Sequence, residues 1–303
     1  MFKTKFGFKN LFVVFSLIGA LVWLAVFSFP DNRLHLVFCD VGQGDAVLIS
    51  KGFEQILIDG GPNDKVLQCL SNNMPFFDKT IEIVALTHPE ADHLTGLISV
   101  LDKYRVDWFL AGPVGNESAV YQSLSTKLQG NKALKIKIFN PYQGEKIKLG
   151  EVELDTLWPE ETWVRARVNY ETASVNYGEG VVLGARTIHT KLNDFSLVFL
   201  LGYKDKKVLL MGDADSRVQD KILQAISNWQ LAIEGIEILK FPHHGSKTGM
   251  TEDFLQQIKP REAVISVGKN SFGHPTAEAL DLLSRNGVKV RRTDLEGEIK
   301  YSF

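Results

Sequence analysis

The sequence predicts an α/β fold whose polar, metal-competent residues gather at one edge of a sheet. Short apolar runs rich in β-branched residues alternate with segments of helical spacing, as where the strand at Ile81–Leu86 is followed by a helix over Thr95–Lys103. Open α/β folds build their sites in loops at the carboxyl ends of strands. Acids and histidines directly follow the predicted strands, at Asp59, His88, Asp213, His243 and His244.

The predicted strands are short apolar runs bounded by turn-forming residues. They cover Leu34–Cys39, Ala46–Ser50, Gln55–Ile58, Ile81–Leu86, Val106–Leu110, Lys135–Phe139, Phe195–Gly202, Lys207–Met211, Ile236–Phe241, Ala263–Val267 and, as the final strand, Val288–Arg292. Residues 40–45 contain two glycines, which favours a hairpin between the first two strands. Lys146–Leu154 is predicted as another hairpin, which turns at Gly150.

Apolar residues recur at helical spacing in three further segments. These predicted helices are Ser216–Trp229, Glu252–Gln257 and Ala277–Arg285. The stretch Glu160–Thr190 is polar and contains glycine, so we expect it to be loop or an irregular insertion.

The first thirty residues differ in character from the rest of the chain. No charged residue occurs from Leu11 to Phe29, and three lysines precede this run. A bilayer-spanning helix needs about 20 apolar residues, and the positive-inside rule keeps the lysine-bearing end in the cytoplasm. We therefore expect residues 1–30 to be a cytoplasmic tip and single-pass anchor in the cell membrane, and residues 31–303 to be one extracytoplasmic domain. A cleaved signal peptide is the alternative, although residues 27–30 form a poor cleavage site.

Composition argues against two classes of site. The formal net charge is −2, and because the first thirty residues hold three lysines and no acid, the remainder carries 31 basic and 36 acidic groups, a balance of −5. Proteins that bind long polyanions through many phosphate contacts usually have the opposite sign of net charge, although a local basic strip is not excluded.

Cys39 and Cys69 have neither CxxC spacing nor histidine neighbours, which argues against a zinc–thiolate site or thiol catalysis. An ordinary buried cysteine is favoured for Cys39, and pairing with Cys69 is left open.

The segment from Thr87 to His93 is the strongest indication of chemistry. In extended chain, residues two apart point the same way, so His88 and Glu90 share one side. Asp92 and His93 come at the turn into the following helix, where they can reach a second metal position. Imidazole and carboxylate ligands suit zinc and also harder divalent ions. The segment therefore predicts a divalent metal site of one or two ions, with Zn²⁺ favoured and Mn²⁺ as the alternative.

This His-x-Glu-x-Asp-His pattern resembles the His-x-His-x-Asp-His signature of the metallo-β-lactamase superfamily. A longer pattern over residues 34–303 resembles the extracellular hydrolase domain of ComEC/Rec2 competence proteins. The segments that carry this likeness are Phe38–Ala46, Leu57–Gly61, Leu210–Ala214, Leu239–Thr248, Ile265–Asn270 and Gly273–Pro275. The resemblance implies a four-layer αββα sandwich with a metal-dependent hydrolase site.

The resemblance also implies roles for individual residues. Asp213 corresponds to the aspartate that bridges two metals, although it also stands where a helix cap is expected. His243 and His244 correspond to a late metal-binding pair, and which of the two binds is left open. Asp59 corresponds to an acid that orients a ligand imidazole. The predicted metal ligands are His88, Glu90, Asp92, His93, Asp213, His243 and His244, and the candidate catalytic residues are Asp92, Asp213 and His274.

Candidate substrate contacts fall in three loops. Asp40, Gln43 and Asp45 belong to a hairpin that is expected to face substrate, although a simple turn explains the same composition. Ser246, Lys247 and Lys269 are a candidate phosphate cradle, with ordinary surface lysines as the alternative. His274 belongs to a loop that resembles the rim of the site, where it is expected to bind metal, contact substrate or donate a proton.

Two departures from the family pattern bear on the metal. Glu90 stands where the signature has histidine, and residues 193–196 occupy the region of a further family histidine without supplying one. The position built by His88 and Glu90 is therefore poor in nitrogen ligands, so a single ion or manganese is a real alternative. The side formed by Asp92, His93 and Asp213 retains the family pattern.

Such a site supports hydrolysis by water whose pKa a bound metal lowers to about 7. The resemblance implies DNA as substrate, so we predict a membrane-anchored extracytoplasmic phosphodiesterase or nuclease, with competence or envelope proteins as expected partners. Hydrolysis of another envelope phosphodiester or ester is the first alternative, and the −5 balance favours it. A non-catalytic binding module with a degenerate metal site is the second, and the number of retained ligand residues argues against it.

Overall fold

Two seven-stranded sheets form the middle of the computed structural model, which describes residues 11–19, 23, 29–112, 114–130, 136–169, 175–176, 182–183, 185–187, 190–228 and 235–303. The strands are β1 (Leu34–Phe38), β2 (Val47–Lys51), β3 (Glu54–Ile58), β4 (Thr80–Leu86), β5 (Arg105–Ala111), β6 (Lys137–Phe139), β7 (Lys146–Leu149), β8 (Val152–Trp158), β9 (Val168–Asn169), β10 (Val175–Asn176), β11 (Val182–Leu183), β12 (Arg186–Thr187), β13 (Val198–Tyr203), β14 (Lys206–Leu210), β15 (Ile236–Lys240), β16 (Glu262–Ile265), β17 (Lys289–Arg292) and β18 (Ile299–Ser302).

Helices connect and cover these strands. They are α1 (Lys65–Asn73), α2 (Ala91–Lys103), α3 (Ala119–Gly130), α4 (Glu161–Arg165), α5 (Ser216–Asn228), α6 (Glu252–Ile258), α7 (Ala277–Arg285) and α8 (Thr293–Glu296). Two short 3₁₀ segments, Leu192–Phe195 and Pro242–Gly245, lie between strands.

Each sheet has an antiparallel half and a parallel half. The first sheet has the order β18-β1-β2-β3-β4-β5-β6, and the strands from β3 to β6 are parallel. The second has the order β17-β16-β15-β14-β13-β8-β7, and the strands from β14 to β17 are parallel. The carboxyl ends of parallel strands open at the same edge of a sheet, which is where such folds place their sites.

Three separate apolar layers show how the sheets and helices stack. Alternate residues of a strand point to opposite faces: Leu36 and Phe38 enter the layer between the two sheets, while Val37 faces the helices. Leu97 of α2 lies in the layer outside the first sheet, and Ile222 of α5 lies in the layer outside the second. The order of layers is therefore helix, sheet, sheet, helix, which confirms the predicted αββα sandwich.

Most predicted elements are present, and four were missed outside the stretch Glu160–Thr190. The predicted hairpins form, with antiparallel pairing of β1 with β2 and of β7 with β8. The sequence analysis missed α1, α3, α8 and β18, and it expected loop or an irregular insertion where α4 and the two-residue strands β9 to β12 lie. Val288–Arg292 was wrongly predicted to be the final strand, since β18 follows it and pairs with β1. Two predicted boundaries, Lys135 and Trp229, lie outside the described residues.

The predicted membrane anchor is corrected by the structure. In the described part of the chain, no helix combines the length and the apolar character needed to cross a bilayer. The prediction of a single-pass location in the cell membrane, with a cytoplasmic N-terminus and an extracytoplasmic domain, is therefore wrong.

A disulfide joins Cys39 to Cys69, whose Cα atoms are 5.8 Å apart. Cys39 is buried, as expected, but it is paired rather than free. The bond ties the chain just after β1 to the middle of α1, across a sequence separation of 30 residues. It therefore fixes the start of the loop over residues 40–45 against the helical layer.

Candidate metal centre

The end of β4 carries the His-x-Glu-x-Asp-His segment to the edge of the first sheet. β4 is buried and rich in β-branched residues, and it ends at Leu86. His88 follows and is 2% exposed. α2 begins at Ala91, which places Asp92 in its first turn and His93 on its buried face. Three residues of the predicted ligand set therefore leave one strand–helix junction.

The second sheet supplies the opposing side chains at the ends of β14 and β15. Asp213 follows Gly212, whose φ of 51° permits a sharp turn after the strand. His243 and His244 both have a φ of 52°, a left-handed conformation that residues other than glycine rarely adopt. Backbone strain of this kind concentrates at functional sites, and here the strained turn presents a buried His244 side chain.

Side chains from both sheets converge on one carboxylate oxygen, Oδ2 of Asp213. Nε2 of His93 lies 3.4 Å from it, and Nε2 of His244 lies 3.5 Å from it. Nε2 of His244 is also 3.3 Å from Oδ2 of Asp92. Two ligands that each bind a tetrahedral ion at about 2.05 Å stand about 3.35 Å apart. These three separations match those of neighbouring ligands of an ion. Ligand atoms of Asp92, His93 and His244 all lie within 4.8 Å of one another, and so do those of His88, His93 and Asp213.

Buried nitrogen atoms without hydrogen-bond partners point to the same centre. Within the described part of the chain, Nε2 of His88, His93 and His244 has no hydrogen-bond partner. A buried polar atom that lacks a partner is costly, and three such atoms in one place require a common explanation. A divalent ion supplies it, because neutral imidazole nitrogen is an ordinary zinc ligand. The residues present therefore fit the metal that the sequence predicts.

Two acceptors behind the imidazoles fix their orientation. Asp59 accepts from Nδ1 of His93 at 2.8 Å, and it also accepts from the backbone N–H and the hydroxyl of Thr87 at 2.8 and 2.7 Å. Nδ1 of His244 donates to the carbonyl of Ser266 at 2.9 Å. Because these acceptors carry no proton, each Nδ1 must be the donor. Nε2 of each ring is thereby left free to bind an ion.

Interactions with opposite charges determine the direction of the pKa shifts of the buried groups at the centre. Burial alone lowers the pKa of His93, but Asp213 and Asp59 raise it well above its ordinary value. Burial likewise opposes charge on His244, yet Asp213 and Asp45 raise its pKa to about 10. Burial raises the pKa of Asp213, but His244 and His93 hold it well below its usual range. The metal-free centre therefore keeps protons on the imidazoles that an arriving cation must displace.

Lys240, which the sequence analysis missed, lies buried beneath this centre. Its ammonium donates to the carbonyl of Gly212 at 2.9 Å, forms an ion pair with Asp45 and stands 3.6 Å from Oδ1 of Asp213. Burial lowers the pKa of Lys240, but Asp45 and Asp213 raise it above its ordinary value. The only indication in the sequence is that this lysine ends an apolar strand, two residues before Pro242. A lysine in such a position is usually exposed at the surface.

The two neighbouring histidines have different surroundings in the structure. His244 faces the carboxylates, as described above, whereas His243 uses its backbone N–H to donate to Oδ1 of Asp213 at 3.1 Å. The His243 ring lies 5.5 Å from the ring of His274 instead. Among the described residues, neither Glu90 nor His243 belongs to a group of three or more ligand-type side chains whose atoms all lie within 4.8 Å of one another. Glu90 is partly exposed, and its Oε2 is 3.7 Å from Nε2 of His88.

Some residues predicted to contact substrate lie elsewhere. Asp45 is 2% exposed and lies behind the imidazoles, 3.5 Å from Nδ1 of His244, so it faces away from solvent. Asp40 accepts from the N–H of Gly42 and shapes the turn.

The predicted phosphate cradle is also divided between buried and exposed residues. Ser246 is buried, and its hydroxyl contacts that of Thr248 at 3.2 Å. Lys247 and Lys269 are exposed. Gln43 accepts from the N–H of Gly268 at 3.4 Å and adjoins Lys269 in an open cavity. Lys269 and Gln43 therefore line one cavity, and Ser246 is not among its lining residues.

Comparison with known proteins places this arrangement in a family. The sequence model of the Metallo-beta-lactamase superfamily matches residues 39–269. ComE operon protein 3 of Bacillus subtilis (strain 168) is 26% identical over 309 residues, which cover 93% of this chain and 35% of that protein. Recombination protein 2 of Haemophilus influenzae is 24% identical over 269 residues, 87% of this chain and 28% of that protein. The chain thus spans about a third of the length of these curated relatives.

Solved structures share the fold at low identity. The metallo-beta-lactamase fold protein YhfI from Bacillus subtilis superposes with a TM-score of 0.52 and 11% identity, over 89% of this chain and all of that one. CmlA, a diiron beta-hydroxylase from Streptomyces venezuelae, gives a TM-score of 0.50 and 13% identity, over 90% of this chain and 54% of its own. At these identities the likeness extends to the fold alone.

Proposed function

Because the chain belongs to the metallo-β-lactamase superfamily, and because a metal-dependent hydrolase site is what that family implies, we propose that it hydrolyses phosphodiester bonds in DNA. The observation that carries the proposal is the convergence of Asp92, His93, Asp213 and His244, with imidazole nitrogens that lack other partners. The substrate class is supported by the names of the relatives, which include Recombination protein 2 and Competence protein ComA of Neisseria gonorrhoeae.

The ligand set offers two overlapping positions for a divalent ion. Ligand atoms of Asp92, His93 and His244 form one group within 4.8 Å, and those of His88, His93 and Asp213 form another. Imidazole nitrogens and carboxylates suit Zn²⁺ and also Mn²⁺. We therefore propose that the centre holds one or two divalent ions.

When bound, a divalent ion supplies both the acidified water that attacks the phosphorus and the positive charge that offsets the charge of the transition state. The chain itself holds the ligands in place, since Asp59 and the Ser266 carbonyl prevent the two imidazoles from rotating. Lys240 offsets the excess of carboxylates beneath the site. Burial, together with His243 and His244, lowers the pKa of His274. His274 is then neutral at pH 7, which favours a substrate contact over the proton donor that the sequence also allowed.

The test combines metal analysis with hydrolysis by the full chain. We expect the purified protein to retain at least one divalent ion and to release nucleotides from DNA when Zn²⁺ or Mn²⁺ is supplied. Asp213→Asn should abolish both properties. The matched control is Asp205→Asn, an 81% exposed aspartate outside the site, which should change neither.

Other outcomes would redirect the proposal. Cleavage of bis-p-nitrophenyl phosphate without any degradation of DNA would indicate a small phosphodiester or ester as substrate, a class that the net charge of −5 for residues 31–303 favours. A well-folded protein that binds no divalent ion would indicate the non-catalytic binding module instead.

A further inference from the structure

A series of rings leads from the metal centre to the surface. The ring centroid of His244 lies 6.4 Å from that of His243, which lies 5.5 Å from that of His274. The ring of His274 lies 5.8 Å from Phe272 at an interplanar angle of 30°. Phe272 is 70% exposed. These four rings therefore form a continuous series from the metal centre to an exposed side chain.

The loop that presents Phe272 is held rigidly by one amide side chain. Asn270 donates to the carbonyls of Gly268 and His274 at 2.8 and 2.7 Å. Its Oδ1 accepts from the backbone N–H groups of Phe272 and His274 at 3.0 and 3.1 Å. These four hydrogen bonds fix the loop backbone on both sides of Phe272.

Both ends of this loop pack against the loops of the metal centre. A Cβ added at Gly268 would stand 2.5 Å from the carbonyl carbon of Gly42, and a Cβ added at Gly245 would stand 2.5 Å from Cβ of Pro275. Such distances leave no room for a side chain. The loop is therefore positioned by the same turns that carry the candidate ligands.

An exposed phenylalanine on a rigid loop has a ring face that is preorganised for a ligand. Leaving a large apolar side chain in water forgoes the stabilisation that its burial would give, and fixing it there costs conformational entropy. Beside it lies an open cavity of about 480 Å³ with the exposed Lys269 at its wall. The lining residues are Gln43, Lys269, Asn270, Ser271 and Phe272.

These features match the two parts of a nucleotide. A planar base stacks on an aromatic ring, and the gain is nearly independent of base identity because every base has a π face. A lysine ammonium binds the neighbouring phosphate as a point charge. A base within a duplex is already stacked on both sides, so only an unpaired base can use the ring of Phe272.

We propose that Phe272, with His274 beside it and Lys269 at the cavity wall, forms a subsite for an unpaired nucleobase. This inference rests on the proposed function and names its substrate class as single-stranded nucleic acid. The ring of Phe272 receives a base of the strand whose phosphodiester lies at the metal centre, and Lys269 binds a phosphate of the same strand.

The test measures binding by the full chain after removal of metal by EDTA, so that no cleavage occurs. The probes are a fluorescein-labelled oligothymidylate of twelve nucleotides and the same backbone with abasic sites throughout, followed by anisotropy at low salt. We expect the wild type to bind the oligothymidylate about 10-fold more tightly than the abasic strand, since one stacked base accounts for a difference of this size. Phe272→Ala should remove that preference, and Phe272→Trp should restore it.

Phe76→Ala is the matched control, because Phe76 is 69% exposed and lies before β4, at the edge opposite the metal centre. This variant should bind both strands as the wild type does. An unchanged preference for bases in Phe272→Ala would overturn the inference, as would an equal loss of affinity for both strands. The proposed function is tested in a different experiment: it would be wrong if the metal-loaded wild type cleaved no DNA. That result would leave the binding comparison unchanged.

Discussion

At the scale of single residues, the centre depends on a balance of buried charge. Asp45, Asp59, Asp92 and Asp213 bring four carboxylates into contact with His93, His244 and Lys240, and all but Asp92 of these seven side chains are buried. Charges in such a position are tolerated only when they are paired and hydrogen-bonded. Lys240 provides the permanent cation, and the imidazoles provide positive charge only while they are protonated.

Replacement of Lys240 by methionine should strongly destabilise the protein. The variant leaves Asp45 and Asp213 without their cation, and removal of one partner from a buried ion pair costs about 3–5 kcal/mol of unfolding free energy. Urea denaturation of the metal-free protein measures this loss, and the double variant Lys240→Met with Asp45→Asn should recover part of it. Lys300→Met, which removes the exposed lysine of an ion pair with Glu298, should cost only about 0–1 kcal/mol. Equal losses in the two single variants would show that Lys240 acts as a surface lysine.

Metal affinity should rise with pH. Because the carboxylates raise the pKa of His244 to about 10 and that of His93 well above its ordinary value, both rings carry a proton at pH 7 in the metal-free protein. Binding must displace those protons, so the affinity should increase by up to about 100-fold per pH unit near neutrality. Calorimetry of Zn²⁺ binding in buffers of different ionisation enthalpy counts the released protons. An affinity that stays constant between pH 6 and pH 8 would contradict this prediction.

The same pKa shift bears on stability without metal. A raised pKa of His244 stabilises the folded state fully below its ordinary value of 6.5, and the contribution is lost as pH rises through about 10. The metal-free protein should therefore become less stable between these two values, the opposite of the trend for metal affinity.

At the scale of elements, the approach of α2 to the turn after β3 sets the position of the ligands. The N–H of Gly60 donates to the carbonyl of His93 at 2.7 Å, and the N–H of Gly96 donates to the carbonyl of Gly61 at 3.0 Å. A Cβ added at Gly96 would stand 2.0 Å from the carbonyl oxygen of Gly60. This glycine is what lets the helix bring His93 within hydrogen-bond distance of Asp59.

Gly96→Ala should therefore destabilise the protein, although alanine is the better helix former by about 1 kcal/mol. The added methyl group meets backbone that cannot move aside, so we expect a net loss of about 1–3 kcal/mol and weaker Zn²⁺ binding. Thermal denaturation and Zn²⁺ titration provide the two measurements. Gly202→Ala is the matched control, because its Cβ would have its nearest neighbour at 4.0 Å. A stabilised Gly96→Ala protein would show that the helix shifts without cost.

How well each element could be predicted depended on the origin of its stability. The strands that lead to the site, such as Ile236–Lys240, were predicted to within a residue or two, because their apolar pattern is local. β18 has only four residues and is ordered by pairing with β1 and not by its own pattern. α1 was missed because Lys65–Asn73 is mostly polar and buries only three residues.

Within the site, the sequence identified the ligand types but not their arrangement. The choice between His243 and His244 depends on two left-handed backbone conformations, which no residue pattern revealed. The burial of Asp45 depends on Lys240, which lies almost two hundred residues away along the chain. Pairing of Cys39 with Cys69 could not be deduced from their number alone.

At the scale of the whole molecule, the disulfide should contribute substantially to stability. Closing a loop of about 30 residues in the unfolded chain corresponds to roughly 3–4 kcal/mol in the chain-entropy treatment. We expect reduction by dithiothreitol, or the double variant Cys39→Ala with Cys69→Ala, to lower the unfolding free energy by about that amount. The double variant should show no further response to dithiothreitol, which separates loss of the bond from other effects of the reductant. Identical stability with and without reductant in the wild type would refute this assignment.

The ion pair between Asp45 and Lys240 crosses from one half of the chain to the other. Asp45 follows β1 of the first sheet, while Lys240 ends β15 of the second. A fragment that contained a single sheet with its helices would bury an aspartate or a lysine with nothing of opposite sign to meet it. We therefore expect the two sheets to fold as one domain, because each supplies the buried charge that neutralises the charge of the other.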